Sequence, residues 1–145
     1  MNPYKIRSAQ AEDIPFLYST WLKAMKYDSD IGLSVRKSIF FEQYRQILDN
    51  ILSDSKVLLA VHPDEPNVIF GYLVYQEPNI LHFSFVKETF RRLGIASDLV
   101  KIAMAGSPIY IMTHQTRFLN EIADNLRHYS LTHNPFLLYN KQTKE

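Results

Sequence analysis

An α/β (α+β) domain with a mixed, mostly antiparallel central sheet and helices on both faces is predicted by three observations. Helix-period and strand-period segments interleave along the chain in the order β-α-α-β-β-β-α-β-α-β. The three middle strands are joined by short turns, which favour an antiparallel meander. The strand after them is reached across a helix, which makes it a parallel neighbour.

Taken in order, Tyr4 to Arg7 reads as a first strand. Glu12 to Tyr27 reads as a helix, because Ile14, Leu17, Trp21 and Ala24 fall on one face, and Asp13 and Pro15 suit its first turn. Asp28 to Gly32 is polar and turn-rich. Ile39, Phe40, Tyr44, Ile47, Leu48 and Ile51 mark a second amphipathic helix, ending near Ser53. The period then changes. Val57–Val61, Val68–Tyr75 and Ile80–Val86 read as strands, separated by the turn formers of His62–Asn67 and Glu77–Asn79. Gly71 inside the second of these marks a bulge or a close approach. Ile95, Leu99, Val100, Ile102 and Ala103 give a third helix, stopped by Gly106-Ser107-Pro108. Ile109–Thr113 is a strand parallel to Ile80–Val86, Phe118 to Leu126 a fourth helix, and Phe136–Tyr139 a last strand. Lys141 to Glu145 reads as a frayed tail.

The 145 residues suffice for one domain over 1–145, with no repeat or linker. No apolar run approaches the roughly 20 residues of a membrane span, and the first residues lack a signal-peptide core, so a cytoplasmic location is the expectation. The chain has no cysteine, which excludes disulfides, thiolate ligands and a cysteine nucleophile. A net charge of +1 argues against a nucleic-acid partner. The five histidines, at 62, 82, 114, 128 and 133, are scattered without metal-ligand spacing, so no metal is expected.

The stretch Val86-Lys87-Glu88-Thr89-Phe90-Arg91-Arg92-Leu93-Gly94-Ile95-Ala96 carries the clearest chemistry. It lies where a strand ends and a helix begins. Unpaired N–H groups of the first helical turn, two guanidinium groups, and the small Gly94 and Ala96 make an anion site. It is neither a P-loop nor a dinucleotide-binding fingerprint, because the additional glycines and the Lys-Ser/Thr pair are missing.

This turn resembles the central motif of the GCN5-related N-acetyltransferases, V-x-x-x-(Y/F)-(R/Q)-x-x-G-x-(G/A). Val86, Phe90, Arg91, Gly94 and Ala96 fill its places in order. Ile6-Arg7-Ser8-Ala9 with Glu12-Asp13-Ile14-Pro15, and Ile69-Phe70-Gly71-Tyr72-Leu73, are similar to the family's first strand with helix entry and to its third strand. The resemblance spans Tyr4 to about Leu126. It implies the acyl-CoA N-acyltransferase fold, acetyl-CoA as cosubstrate and a primary amine as acceptor. It also implies that Arg91, Arg92, Leu93, Gly94, Ile95, Ala96 and Ser97 cradle the pyrophosphate. Pantothenate would pair along the strand ending at Phe85 and Val86, where a backbone N–H polarises the thioester carbonyl. Ile80–Val86 and Ile109–Thr113 would splay to admit it.

Transfer to an amine needs a base, because a lysine-like ammonium has a pKa of about 10.4. His82 is the candidate. It interrupts an apolar strand and shares a face with Ser84 and Val86, about 13 Å from Val86 at ~3.3 Å per residue. Some amine-acetylating relatives place a histidine here; others use a glutamate two residues earlier, where this chain has Ile80. The plainer alternative is a half-buried histidine satisfied by a neighbour. For the acid, relatives carry a tyrosine in N-x-x-A-x-x-(F/Y)-Y; here Asn120 and Ala123 are followed by Leu126, which leaves Tyr129 and His114 as candidates, each with a structural or surface role as its alternative. Trp21, Tyr18 and Tyr27 read as core rather than as a substrate platform.

Two functions remain open at this point. One is an acetyl-CoA-dependent N-acetyltransferase, its acceptor pocket shaped by the first two helices and the loop Asp28–Val35. The other is a non-catalytic binding or structural protein of the same fold, which the incomplete helix motif favours. The turn is also similar to those of small members in phage and prophage genomes, which points toward a DNA-modifying or host-modifying role. An exposed edge strand allows a homodimer.

Overall fold

The computed structural model describes residues 3–104, 109–114 and 130–140. Six strands form one sheet in the order β1-β2-β3-β4-β5-β6. They are β1 (Lys5–Ser8), β2 (Lys56–Val61), β3 (Ile69–Gln76), β4 (Ile80–Val86), β5 (Ile109–Met112) and β6 (Ser130–His133). The first four are antiparallel; β4 and β5, and β5 and β6, are parallel. The helices are α1 (Ile14–Asp28), α2 (Asp30–Ser34), α3 (Lys37–Asp54), α4 (Ile95–Ala103) and α5 (Leu137–Asn140). This is the mixed sheet with helices that the sequence predicts, and the strand over Ile109–Met112 is parallel to β4 as expected.

Side-chain alternation in the sheet decides what each face buries. Tyr72 of β3 and Phe83 and Phe85 of β4 point toward α1. The Phe83 ring stacks on Trp21 at 4.9 Å, and Phe16 meets both Tyr72 and Phe85 edge-on. The Tyr72 hydroxyl, fully buried, lies 2.7 Å from the Thr20 hydroxyl. Helix α1 presents Leu17, Trp21 and Met25 at helical spacing, and α3 presents Phe40, Tyr44, Leu48 and Ile51. The opposite side of β2, β3 and β4 is covered by α4, through Ile95, Leu99 and Val100.

Two segments differ from the sequence reading. The turn-rich stretch after α1 contains α2, because the Ser29 hydroxyl caps it by accepting from Gly32 N–H at 3.2 Å. Lys26 Nζ then donates to the carbonyls of Gly32 (2.6 Å) and Val35 (2.8 Å), tying α2 back onto α1. The last strand is Ser130–His133, and Phe136–Tyr139 is not a strand: residues 137–140 form α5. The cause is local. Asn134 Oδ1 accepts from Phe136 N–H, and Leu138 N–H donates to the Pro135 carbonyl, so the backbone turns just where the apolar run suggested extension. The expected helix over Phe118–Leu126 and its stop at Gly106–Pro108 lie outside the described residues.

Gly71 is a close-approach point. A Cβ there would sit 2.6 Å from the Phe85 carbonyl oxygen and 3.1 Å from Val86 Cα. The adjacent bulge leaves Phe70 unpaired between Ala60↔Gly71 and Val61↔Ile69. Gly71→Ala is therefore expected to destabilise the fold by about 1–3 kcal/mol through overpacking. Urea denaturation checks this; an unchanged midpoint would mean that β3 and β4 can separate freely at this point.

Candidate active site

Two backbone features converge at the end of β4. The first is an open edge. β5 pairs with β4 at Ile80↔Ile111 and Leu81↔Met112, and the last rung is Thr113 N–H donating to the Leu81 carbonyl at 3.2 Å. Beyond it no described strand pairs with that edge of β4. Lys87 N–H donates to the Phe70 carbonyl at 2.8 Å, so Phe70 and Lys87 form a hydrogen-bonded pair across β3 and β4. Pairs alternate, so the N–H and C=O groups of Ser84 and Val86 point away from β3, into the fork where the described pairing of β4 with β5 ends. The register thus directs main-chain groups of β4 past the last described rung, which is where the sequence expects the two strands to splay.

The second feature is the turn from Lys87 to Gly94. Phe90 stacks on Phe70 at 3.9 Å and pins a single 3-10 turn, Glu88–Phe90. Arg91 Nε donates to the Val86 carbonyl at 2.9 Å, closing the loop on itself. Arg92 and Gly94 both adopt positive φ, at 72° and 84°. These left-handed steps reverse the chain into α4, with Gly94 as N-cap. The first helical bond is Asp98 N–H to the Gly94 carbonyl, so the amides of Ile95, Ala96 and Ser97 precede the ladder. A Cβ on Gly94 would meet no atom within 4 Å, so space is open above the cap.

The nine residues expected to hold a cofactor therefore divide. Gly94, Ala96 and Ser97 lie at the open helix start. Ile95 is buried and anchors α4, while Leu93 is exposed. Arg92 supplies charge and the left-handed step. Arg91 serves the turn through Nε. Phe85 packs toward Phe16, and Val86 is buried with its carbonyl engaged by Arg91.

His82 lies at a one-residue bulge. Val74 pairs with Phe83 and Tyr75 with Leu81, leaving His82 without an opposite number. The strict two-residue period that aligned His82 with Ser84 and Val86 breaks at this residue. The ring is buried. Its Nδ1 lies 2.8 Å from Thr113 Oγ1, and its Nε2 lies 3.3 Å from Gln76 Oε1. His114 does not face the fork. It packs edge-on against Trp21, Tyr44 and Phe83, inside the core. Burial pushes its pKa down to about 3, the His82 and His133 charges act in the same direction, and the His82 carbonyl acts against them as an acceptor. Its Nδ1 lies 2.9 Å from the same Thr113 hydroxyl. Tyr129 lies outside the described residues. Thr113 and Gln76 were not singled out in the sequence; only the sheet register brings them to His82.

By sequence, neither a family model nor a curated protein matches the chain. Solved structures do match in fold. The apo form of YjaB from Escherichia coli superposes with a TM-score of 0.60 at 14% identity, over 85% of this chain and 80% of that one. The structure described as GCN5-related N-acetyltransferase: aminotransferase, class-II, from Rhodopseudomonas palustris gives 0.57 at 15%, over 86% and 81%. The histone acetyltransferase HPA2 and related acetyltransferase from Corynebacterium glutamicum gives 0.59 at 14%, over 86% and 84%. The chain thus has the fold of the GCN5-related N-acetyltransferases. Among the described residues no helix is long and apolar enough to cross a membrane.

A neutral, buried His114 has a pH signature. Its pKa is lower folded than unfolded, so the unfolded chain binds the extra proton first. Stability is fully present above the unfolded value of about 6.5 and falls as pH drops from there toward 3, by up to about 1.4 kcal/mol per unit. Urea denaturation at pH 7.5 and 5.5 is expected to show this loss, and His114→Gln to flatten it. An equal slope in the variant would place the titrating group elsewhere.

Proposed function

We propose that this protein is an acetyl-CoA-dependent N-acetyltransferase acting on a primary amine. The observation that carries the reading is the conjunction at one end of β4. A strand edge that no described strand pairs directs amide and carbonyl groups into a fork there, directly before a glycine-capped helix start with open space above it. These are the two things a pantetheine diphosphate requires: a strand edge to pair with, and bare amides for its charge.

The residues fit the cosubstrate. The amides of Ile95, Ala96 and Ser97, with Arg92, would hold the diphosphate, and the Ser84 and Val86 main chain would receive the pantetheine arm. Bound acetyl-CoA would supply the acyl group as a thioester. The acceptor nitrogen would attack that carbonyl directly, forming the amide C–N bond as the C–S bond breaks and the sulfur leaves as CoA thiolate, while the amine's proton would pass through waters toward His82. Val86 N–H, directed into the fork, is the donor for the carbonyl oxygen. The acceptor side is formed by α1, α2 and the start of α3, where Tyr27, Ile31 and Leu33 are exposed.

Binding is tested first. Acetyl-CoA is expected to raise the melting temperature of the wild type. Gly94→Asp and Arg92→Glu are each expected to weaken binding at least tenfold by calorimetry, because each sets a negative charge against the diphosphate. Unchanged affinity in both would overturn the cradle. Binding without CoA release across an amine panel would favour the non-catalytic reading.

Turnover then tests the proton route. His82→Ala is expected to lower the rate most near pH 7, with the deficit shrinking toward pH 10, where the amine loses its proton unaided. A deficit constant with pH would remove His82 from proton transfer.

A further inference from the structure

The half-buried Gln76 of β3, His82 of β4, and Thr113 and His114 just past β5 form a continuous chain of polar side chains beside the fork. Gln76 Oε1 lies 3.3 Å from His82 Nε2, His82 Nδ1 lies 2.8 Å from Thr113 Oγ1, and Thr113 Oγ1 lies 2.9 Å from His114 Nδ1. His82, Thr113 and His114 are all at most 3% exposed. One hydroxyl therefore stands between two imidazoles. A threonine oxygen has one proton and two lone pairs, so the protonation of one ring constrains the other.

The outer end of the chain fixes its direction. Among the described residues His114 Nε2 has no hydrogen-bond partner, and the ring beside it, Trp21 at 5.3 Å, carries an indole N–H that also lacks one. The indole nitrogen is only a donor. A proton on His114 Nε2 would set two unpaired donors in neighbouring rings. With Nε2 bare, the two orphans are complementary. The proton of the neutral His114 ring then resides on Nδ1, where Thr113 Oγ1, at 2.9 Å, and the His82 carbonyl are its acceptors. The remaining lone pair and the proton of Thr113 are left for His82. Its hydroxyl has a second direction available as well, the His82 carbonyl at 3.5 Å.

We propose that Thr113 is a hydroxyl switch and His114 its fixed donor, together serving as positioning residues for His82. When His82 carries its single proton on Nε2, Thr113 donates to Nδ1. When Nδ1 is protonated, Nδ1–H donates to Thr113 and the hydroxyl proton turns to the His82 carbonyl. The switch thus accepts either neutral tautomer, including the one that bares Nε2, and also the doubly protonated ring. The gain of one proton at His82 needs no proton movement at His114. Among the described residues, Tyr44 of α3 lies against the His114 ring and the His133 charge of β6 acts on it. The inference rests on the reading in which His82 takes up the amine's proton, but its structural content concerns the free protein.

Long-range 1H–15N NMR of the imidazole rings tests it on the full chain, without acetyl-CoA or amine. His114 is expected to stay neutral, with its proton on Nδ1, from pH 5 to 8, while His82 titrates. Thr113→Val is expected to move the His82 midpoint to lower pH by roughly 0.7 unit, because a charge-assisted bond is lost along with a weaker neutral one. Thr113→Ser is expected to restore it. A merely structural threonine would leave the midpoint in place in any variant that folds. A proton on His114 Nε2, titration of His114 in that range, or an unmoved midpoint in Thr113→Val would each overturn the switch. Failure of acetyl-CoA binding would instead overturn the acyltransferase reading and leave these NMR outcomes unaffected.

Discussion

The one-residue bulge at His82 is the constraint on which the site depends. Before it, β4 is an interior strand, paired with β3 on one side and β5 on the other. At it, β5 makes its last rung through Thr113 N–H. After it, β4 continues to Val86 paired to β3, with no described strand on its other edge. A bulge adds local twist and bend, and here it falls where the described pairing with β5 ends. The same extra residue sets the parity of everything downstream: which amides face β3, and which face the gap.

The turn that follows must hold its shape without help from a neighbouring strand. Phe90 on Phe70 supplies apolar anchorage, and Arg91 to the Val86 carbonyl supplies a polar closure. Between them the backbone passes twice through positive φ, at Arg92 and Gly94. At Gly94 this conformation is nearly free. At Arg92 it costs on the order of 1 kcal/mol, which the two anchors must offset. Arg91 thus carries a structural duty, and its Nε is committed even before a ligand is considered. Arg92 is the guanidinium of the pair for which the structure gives no competing contact within the turn.

Much of this was legible in the sequence, for identifiable reasons. The periods of α1, α3 and α4 are strong because each has one buried face, and Gly94 beside an Arg pair names its turn chemically. The apolar strand Ile80–Val86 and the parallel strand after a helix followed from length and connection. What was not legible depends on partners. The bulge at His82 is a fact of register with β3, invisible in β4 alone. Thr113 gains its importance from making the last described rung between β5 and β4, beside His82. The strand expected at Phe136–Tyr139 is a short helix because four apolar residues have no decisive period, and the turn at Asn134-Pro135 settles the matter.

One charge at the helix start, Asp98, opposes the rest, and its wider surroundings balance it. Asp98 lies in the first turn of α4, where a carboxylate suits the helix but competes with any other anion. Its oxygen accepts the Tyr4 hydroxyl, from the residue just before β1. Burial and the Asp98 carboxylate hold the Tyr4 pKa up at about 12, so the phenol stays a donor throughout the neutral range. A hydrogen bond from a neutral phenol draws off part of the carboxylate's charge without adding a cation. The N-terminal segment, 94 residues away in sequence, therefore tempers the negative group in the first turn of α4, beside the amides of Ile95 to Ser97. The positive end of α4 is left to those amides and to Arg92.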